Sequence, residues 1–589
     1  MMKKTHILGL AALLTLACGC SDFLDGDRNG ILLQDDVAGV QHIDNLVTAA
    51  YASLGNDHYD TPLSLWCYGD VRSDDAYKGG RDVNDQQETH FFETASNIKT
   101  TFGLPDGLWY LCYVGISRAN TALRALEAVD KAEFPLKEQR IGEMRFLRGH
   151  FHFLLKELFK RIPYIDHRIP TEGLEADGND ENARIIAYIN SVSNHDCTDA
   201  ELWQKIADDF LYAYQHLPET QAEVGRANRI AAAAYLARTK MFRAFRQDER
   251  NNVTNVDAAD LEEVLTYTDV VLKSAYGLES DFAYNFLPEY ENGREAIFSV
   301  QFTTGDGTKF GRLNFSDVLN APQGIGGADF HKPSQNLVNA FRTENGLPMF
   351  DTFNASNYGY ANNAPLDDYT RIADQHVDPR LYHTVAVPGM KFKYTYQTFE
   401  KGWNRNQSVY GIYASLKENV SPESDCFVKM PPFVANAKNR IVLRYADAVL
   451  LRAEALVELN RNLPEALDLI NSLRQRAAAS TGLIGQAANI DVRPYQPGVD
   501  GCELTQDYLR RAVRWERRLE FAMEGERFFH LVRWGVAADV VNAYYAKEKT
   551  LRSNLSSAHF DANKEEYIPV PQQQIAYSKD SYVQNYGWE

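Results

Sequence analysis

Two pairs of adjacent carboxylates, Asp74-Asp75 and Asp208-Asp209, and two close histidines, His150 and His152, are the side chains of this 589-residue sequence whose types could do chemistry. A glycosidase needs two carboxyl groups that face each other across a bond, and adjacency in sequence does not supply that geometry. Asp74-Asp75 sits within RSDDAYKG and Asp208-Asp209 within a helical stripe, where solvation or capping accounts for them. With 80 acidic residues in the chain, such neighbours arise from composition alone. His150 and His152 lie two apart on a helical run, hence on different faces, and make a poor metal pair. No HExxH, GxSxG, P-loop or dinucleotide fingerprint occurs. The chain is therefore expected to have no catalytic site, no resident metal and no cofactor.

The first residues read as targeting, not fold. Lys3 and Lys4 precede an apolar run from Ile7 to Ala17 that is too short to span a bilayer, then Cys18-Gly19-Cys20. A cysteine at the cleavage point is what a bacterial lipoprotein requires, and both Cys18 and Cys20 qualify on position. Just beyond, Asp25, Asp27, Asn29, Gly30 and Asp36 fall at the spacing of a calcium-binding EF-hand loop. No helix can precede that loop so close to a lipid anchor, so residues 20–36 read as an acidic tether. The remaining cysteines, Cys67, Cys112, Cys197, Cys426 and Cys502, are odd in number and form no CxxC or zinc spacing. They are expected to be small buried hydrophobes. A formal charge of −19, spread along the chain, argues against nucleic acid and polyanions and leaves neutral glycans open.

The elements that must position any site are helices. Apolar residues recur at helical spacing from Val37 through Asn45 to Leu54, and over Leu104 to Val129, Gln139 to Phe159, Asp208 to Leu217, Gly225 to Ala244, Leu261 to Ala275, Arg440 to Leu459 and Pro464 to Ala477. Small residues at Ala231 to Ala234 permit close helix contact. Pro464 suits a first helical turn. The pair formed by Arg440 to Ala477 resembles a tetratricopeptide unit, so stacked helix pairs over residues 37–589 are expected to share one core. Long segments between them, Gly55 to Pro105, Asp166 to Leu202, Leu278 to Asn439 and Gly482 to Leu504, read as functional loops with minor β content. One strand-like run is Glu295 to Phe302, and Gly305 to Gly307 and Gly324 to Gly327 read as turns.

Tyr508 to Gly535, YLRRAVRWERRLEFAMEGERFFHLVRWG, has a helical apolar period broken at Gly525, which predicts two helices meeting at a tight turn. Spacing alone reads its alternating ions as a solvated, salt-bridged face. This run closely resembles the ERR-LEFA-EG-R-FHL-RWG signature of the RagB/SusD family of nutrient-uptake lipoproteins. LWYLCYVGISRAN, EMRFLRG, DPRLY (Asp378 to Tyr382), YIPVPQQQI (Tyr567 to Ile575) and the ending QNYGW resemble further family elements in the same order. Cys20, followed by Ser21-Asp22-Phe23-Leu24-Asp25, resembles the family's mature start, which favours Cys20 over Cys18 as the lipidated residue.

The resemblance implies a mainly α, SusD-like fold on a tetratricopeptide-like helix-pair scaffold. It also implies a lipid-anchored protein on the outer face of the outer membrane that captures a nutrient, usually a glycan, for a TonB-dependent, SusC-like transporter. It makes the Tyr508–Gly535 segment structural, with Glu516, Arg517, Arg518, Glu520 and Arg527 partly buried and mutually paired. A structural assembly lipoprotein and a surface glycoside hydrolase are the alternative readings. A glycan site needs aromatic platforms beside polar groups on loops. The loop before the Trp109 helix offers Asp75, Tyr77, Phe91, Asn97 and Phe102, and the loop after Phe302 offers Phe310 and Phe315. Trp403, within KGWNRNQ, is a further aromatic amid polar neighbours.

Overall fold

Helices follow one another in pairs because each buries its apolar stripe on the next. The computed structural model describes residues 40–170, 181–309, 311–361, 368–370, 372, 374–485 and 489–589. The expected signal segment, Cys18, Cys20, the pattern over residues 25–36 and Phe310 lie outside the described residues.

The helix Gly103–Ala128 returns as Lys137–Phe159. Trp109 near the start of the first meets Phe159 at the end of the second, with ring centroids 4.9 Å apart, so the two run antiparallel. Asp199–His216 and Arg229–Ala244 form the next pair. Trp203 opposes Phe242, and Phe210 stacks on Tyr235 at 4.4 Å. Thr198 and Glu201 make a reciprocal capping box at the start of this pair. Ala231 to Ala234 are buried where that helix contacts its neighbours, including Ala258–Leu272. Tyr445–Glu458 and Leu463–Ala479 form a later pair, pinned near the turn by Arg452 and Glu465 at 2.6 Å.

Two expectations of extent need correction. Arg440 to Arg444 is a strand, antiparallel to Ala296–Val300, and the helix begins only at Tyr445. RIVLR has β-branched residues flanked by arginines, a pattern that a helix and a half-buried strand share. The helix assigned to Asp208 starts earlier, at its Thr198 cap. Strands among the described residues occur only in two-stranded pairs. The main apolar cluster draws on residues from Ile43 to Val570.

The signature forms helices Gln506–Phe521 and Arg527–Arg533, joined through Gly525 at φ +81°. Glu516, Arg517, Arg518 and Glu520 are buried and Arg527 is half-buried, but the five do not pair with one another. Glu520 takes Arg380 and Arg444 at 3.0 Å and Arg476 at 2.5 Å. Glu516 meets Arg380 at 2.6 Å and Arg474 at 3.3 Å, and Arg517 meets Asp447 at 2.7 Å. Arg518 holds Asp75 at 2.8 Å and Asp74 at 3.0 Å, while Arg527 holds Asp74 at 3.0 Å. Alternating charge on a helix predicts neighbours along that helix; burial sends these ions instead to partners on other elements. The Asp74–Asp75 anchor fixes the strand Ala76–Gly79, paired with Phe330–Pro333, and so positions the loop that follows.

Candidate functional site

Five loops meet at one rim, and each is held there by a specific contact. The turn at His58 closes through the Thr61 N–H and the His58 carbonyl at 2.9 Å. Its Tyr59 ring lies 5.6 Å from Phe433, in the hairpin made by Phe427–Met430 and Phe433–Asn436. Val434 of that hairpin packs on the turn at Gly326. Two residues back, the Trp403 ring packs against Gly324, where a Cβ would fall 2.3 Å from the indole. Only glycine lets the backbone come that near an aromatic face.

From Trp403 the rim closes on its polar side. The Arg405 N–H donates to Asp329 at 2.6 Å, and its guanidinium lies 3.6 Å from Asp85. The Asn406 amide donates to the Arg81 carbonyl at 2.8 Å. Gln86 donates to Asp60 at 3.5 Å, which leads back to His58. Trp403 is half-buried, propped by Phe399 at 5.4 Å and Phe392 at 5.7 Å. A propped aromatic face ringed by amides, guanidinia and carboxylates can hold an apolar, hydroxyl-bearing surface. The described residues contain no cluster of His, Cys, Asp or Glu that could hold a metal.

Lys78 holds the loop from beneath. Its buried ammonium donates to the Asp82 carbonyl at 2.9 Å and to the Asp85 carbonyl, between the rings of Phe330 and Tyr410. Burial pushes its pKa down to about 8. Lys78→Met retains the apolar stem and loses both donors. Hydrogen exchange at residues 81–86 is expected to accelerate severalfold while the thermal midpoint changes little; unchanged exchange would show that the clamp is dispensable.

The residues proposed from sequence separate into three groups. Asp75 and Tyr77 are fully buried, which takes them off any exposed binding surface. Asp75 is engaged by Arg518, and the Tyr77 hydroxyl donates to Glu548 at 2.7 Å. Burial raises the Asp75 carboxyl to about 6 despite Arg518, with Asp74 adding to the rise. Burial also pushes on Asp74, but Arg518 and Arg527 outweigh it and hold Asp74 below the usual range. Asp209, of the second acidic pair, is likewise buried and bound by Arg148 at 2.7 Å.

Phe91 and Phe102 stack on each other at 5.7 Å beside the start of the Gly103–Ala128 helix, with Phe102 buried and Asn97 exposed nearby in sequence. Phe315 is half-buried against the core. Of the described members of the set, Trp403 alone stands in the rim; Phe310 lies outside the described residues. Tyr59, Arg81, Asp85 and Arg405 were missed by sequence reasoning. Their only signals were KGWNRNQ around Trp403 and the glycine turn at Gly324 to Gly327.

Paired helices that carry long loops, with a signature helix tied into them by buried ions, define the SusD class of fold. A SusD family model matches residues 294–588, and a second, described as starch-binding associating with outer membrane, matches residues 22–241. The chain belongs to the SusD family. It is 25% identical over its whole length to the whole of SusD-like protein P2 of Formosa agariphila. A SusD homologue from Bacteroides thetaiotaomicron shares the fold at a TM-score of 0.67 and 19% identity, over 96% of this chain and 100% of that one. Surface glycan-binding protein A of the same organism, solved with laminarihexaose, gives 0.60 and 19%, over 93% and 99%. No helix among the described residues is long and apolar enough to cross a membrane.

Proposed function

We propose that this protein binds a glycan at the Trp403 rim and passes it to a TonB-dependent outer-membrane transporter, while tethered to the outer membrane by lipid on Cys20. The observation that carries the reading is Trp403 itself, held against Gly324 with Arg405, Asn406 and Asp85 around it. Sugars offer C–H faces to such a ring and hydroxyls to its polar neighbours. The family's description as starch-binding and outer-membrane-associated supports both parts of the proposal. So does a structural neighbour that holds laminarihexaose. The carboxylate pairs that a hydrolase reading would need are engaged: Asp74, Asp75 and Asp209 are buried in ion pairs. The proposed role is therefore capture without turnover.

Affinity electrophoresis through gels containing laminarin, amylopectin, xylan or galactomannan tests the reading. At least one polysaccharide should retard the protein, and Trp403→Ala should weaken that binding about tenfold or more, which is about 1.4 kcal/mol. Tight binding retained by both Trp403→Ala and Arg405→Ala would remove the rim from consideration. Cys20→Ala should release the protein from membranes; continued lipidation would assign the anchor to Cys18.

A further inference from the structure

A groove of about 380 Å³ runs along the outer side of the Gly103–Ala128 helix. Its walls include Tyr110, Tyr113, Tyr188 and Tyr582, with Ser117 and Gln574 among them. Tyr110 is 65% exposed. The volume lies within the range of ligand sites, and the lining mixes these aromatic rings with isoleucines and a few polar groups. The hydroxyls of Tyr110 and Tyr582 have no hydrogen-bond partner among the described residues, and neither does the side-chain carbonyl of Gln574, whose amide donates to Asp106 at 2.9 Å. The Tyr113 hydroxyl donates to the Pro163 carbonyl and that of Tyr188 accepts from the Asp166 N–H, so Tyr110, Tyr582 and Gln574 supply the groove's uncommitted polar edges.

The groove also adjoins the rim. Thr61, which closes the His58 turn, packs on Gly107, where a Cβ would fall 2.6 Å from its methyl. Tyr110 lies three residues further on, about 60° round the same helix. It thus lies within one helical turn of the point where the His58 turn packs on this helix, and it lines the groove.

We propose that this groove is a second glycan subsite, which takes the continuation of an oligosaccharide chain held at the Trp403 rim. The inference rests on the glycan-binding reading of that rim. Two weak subsites joined by one ligand act through effective concentration, so affinity should grow with chain length beyond what the rim alone can hold. A ligand confined to the rim should not sense the groove at all.

The probes are the polysaccharide that retards the protein most in the gel screen and a trisaccharide cut from it, titrated by calorimetry. The wild type should bind the polymer, per binding site, about tenfold or more tighter than the trisaccharide. Tyr110→Ala, which removes an exposed ring, and Ser117→Trp, which fills the groove from an exposed position, should erase that gain and leave trisaccharide binding unchanged. If both variants keep the gain, or if the wild type shows none, the groove is no subsite while the rim reading stands. If both variants bind both probes normally but lose co-purification with an outer-membrane barrel, the groove is a protein-docking face and the proposal is overturned. If no polysaccharide binds the wild type, the rim reading falls and this one with it.

Discussion

Glu520→Ala should cost about 3–5 kcal/mol of stability, because it leaves three buried guanidinium groups without their shared carboxylate. Arg380, Arg444 and Arg476 all reach Glu520 within 3.0 Å, and all four side chains are buried. Glu295 and Asp378 would still neutralise part of that charge, through Arg444 at 2.6 Å and Arg380 at 2.7 Å. Denaturant unfolding of wild type, Glu520→Ala and Glu520→Gln measures the effect, with the glutamine variant falling between the other two. A loss below about 1 kcal/mol for the alanine variant would mean that the arginines find new partners, and the ion lattice would then be no keystone.

The same carboxylate sets an acid limit. Burial alone would raise its pKa, but Arg476, Arg444 and Arg380 overcome that and hold it well below the ordinary range. A group depressed in the folded state contributes its full stability above its unfolded pKa, about 4.3 for glutamate, and loses it as pH falls toward the folded value. Wild-type stability should therefore fall more steeply below about pH 4 than that of Glu520→Gln. Parallel curves for the two proteins would exclude Glu520 as a source of the acid slope.

The second large effect is steric. Gly69 ends the short helix Trp66–Gly69, and a Cβ there would fall 1.7 Å from the Gly525 carbonyl oxygen. On the other side, a Cβ at Gly525 would fall 2.3 Å from the Ser64 carbonyl oxygen. Both obstacles are backbone, so no side chain can swing away. The Gly525 N–H also donates to Asp70 at 2.7 Å, and Asp70 in turn holds His331 at 3.0 Å. Gly69→Ala is expected to cost about 3 kcal/mol, the upper part of the overpacking range. Gly525→Ala adds a left-handed backbone penalty of about 1–2 kcal/mol. Thermal melts of the two variants check this order; a Gly69→Ala protein that melts with the wild type would show that the two backbones can part freely.

The helices were legible because a 3.6-residue period survives in any burial pattern. Gln506–Phe521, its break at Gly525 and the pair at Leu463–Ala479 needed nothing but spacing and punctuation. The ions of the signature were legible as structural yet not as to partner, since Arg518 shows nothing locally of Asp75. For the same reason Asp75 and Tyr77, polar and aromatic on a long loop, read as surface residues and proved to be core. The rim was legible at Trp403 alone. Its other members come from four further loops as well as Trp403's own, and long-range contacts such as Gly324 on the indole, Tyr59 on Phe433 and Arg405 on Asp85 bring them together.

The bond between Asp75 and Arg518 spans 443 residues of chain. At synthesis rates of about 5–20 residues per second, Asp75 would wait roughly 20–90 s for its arginine to be made. Through that interval the strand Ala76–Gly79 and the loop clamped by Lys78 lack their anchor. The support beneath the rim is thus completed only after the C-terminal helices exist. A chain cut short before Arg518 would lack that support.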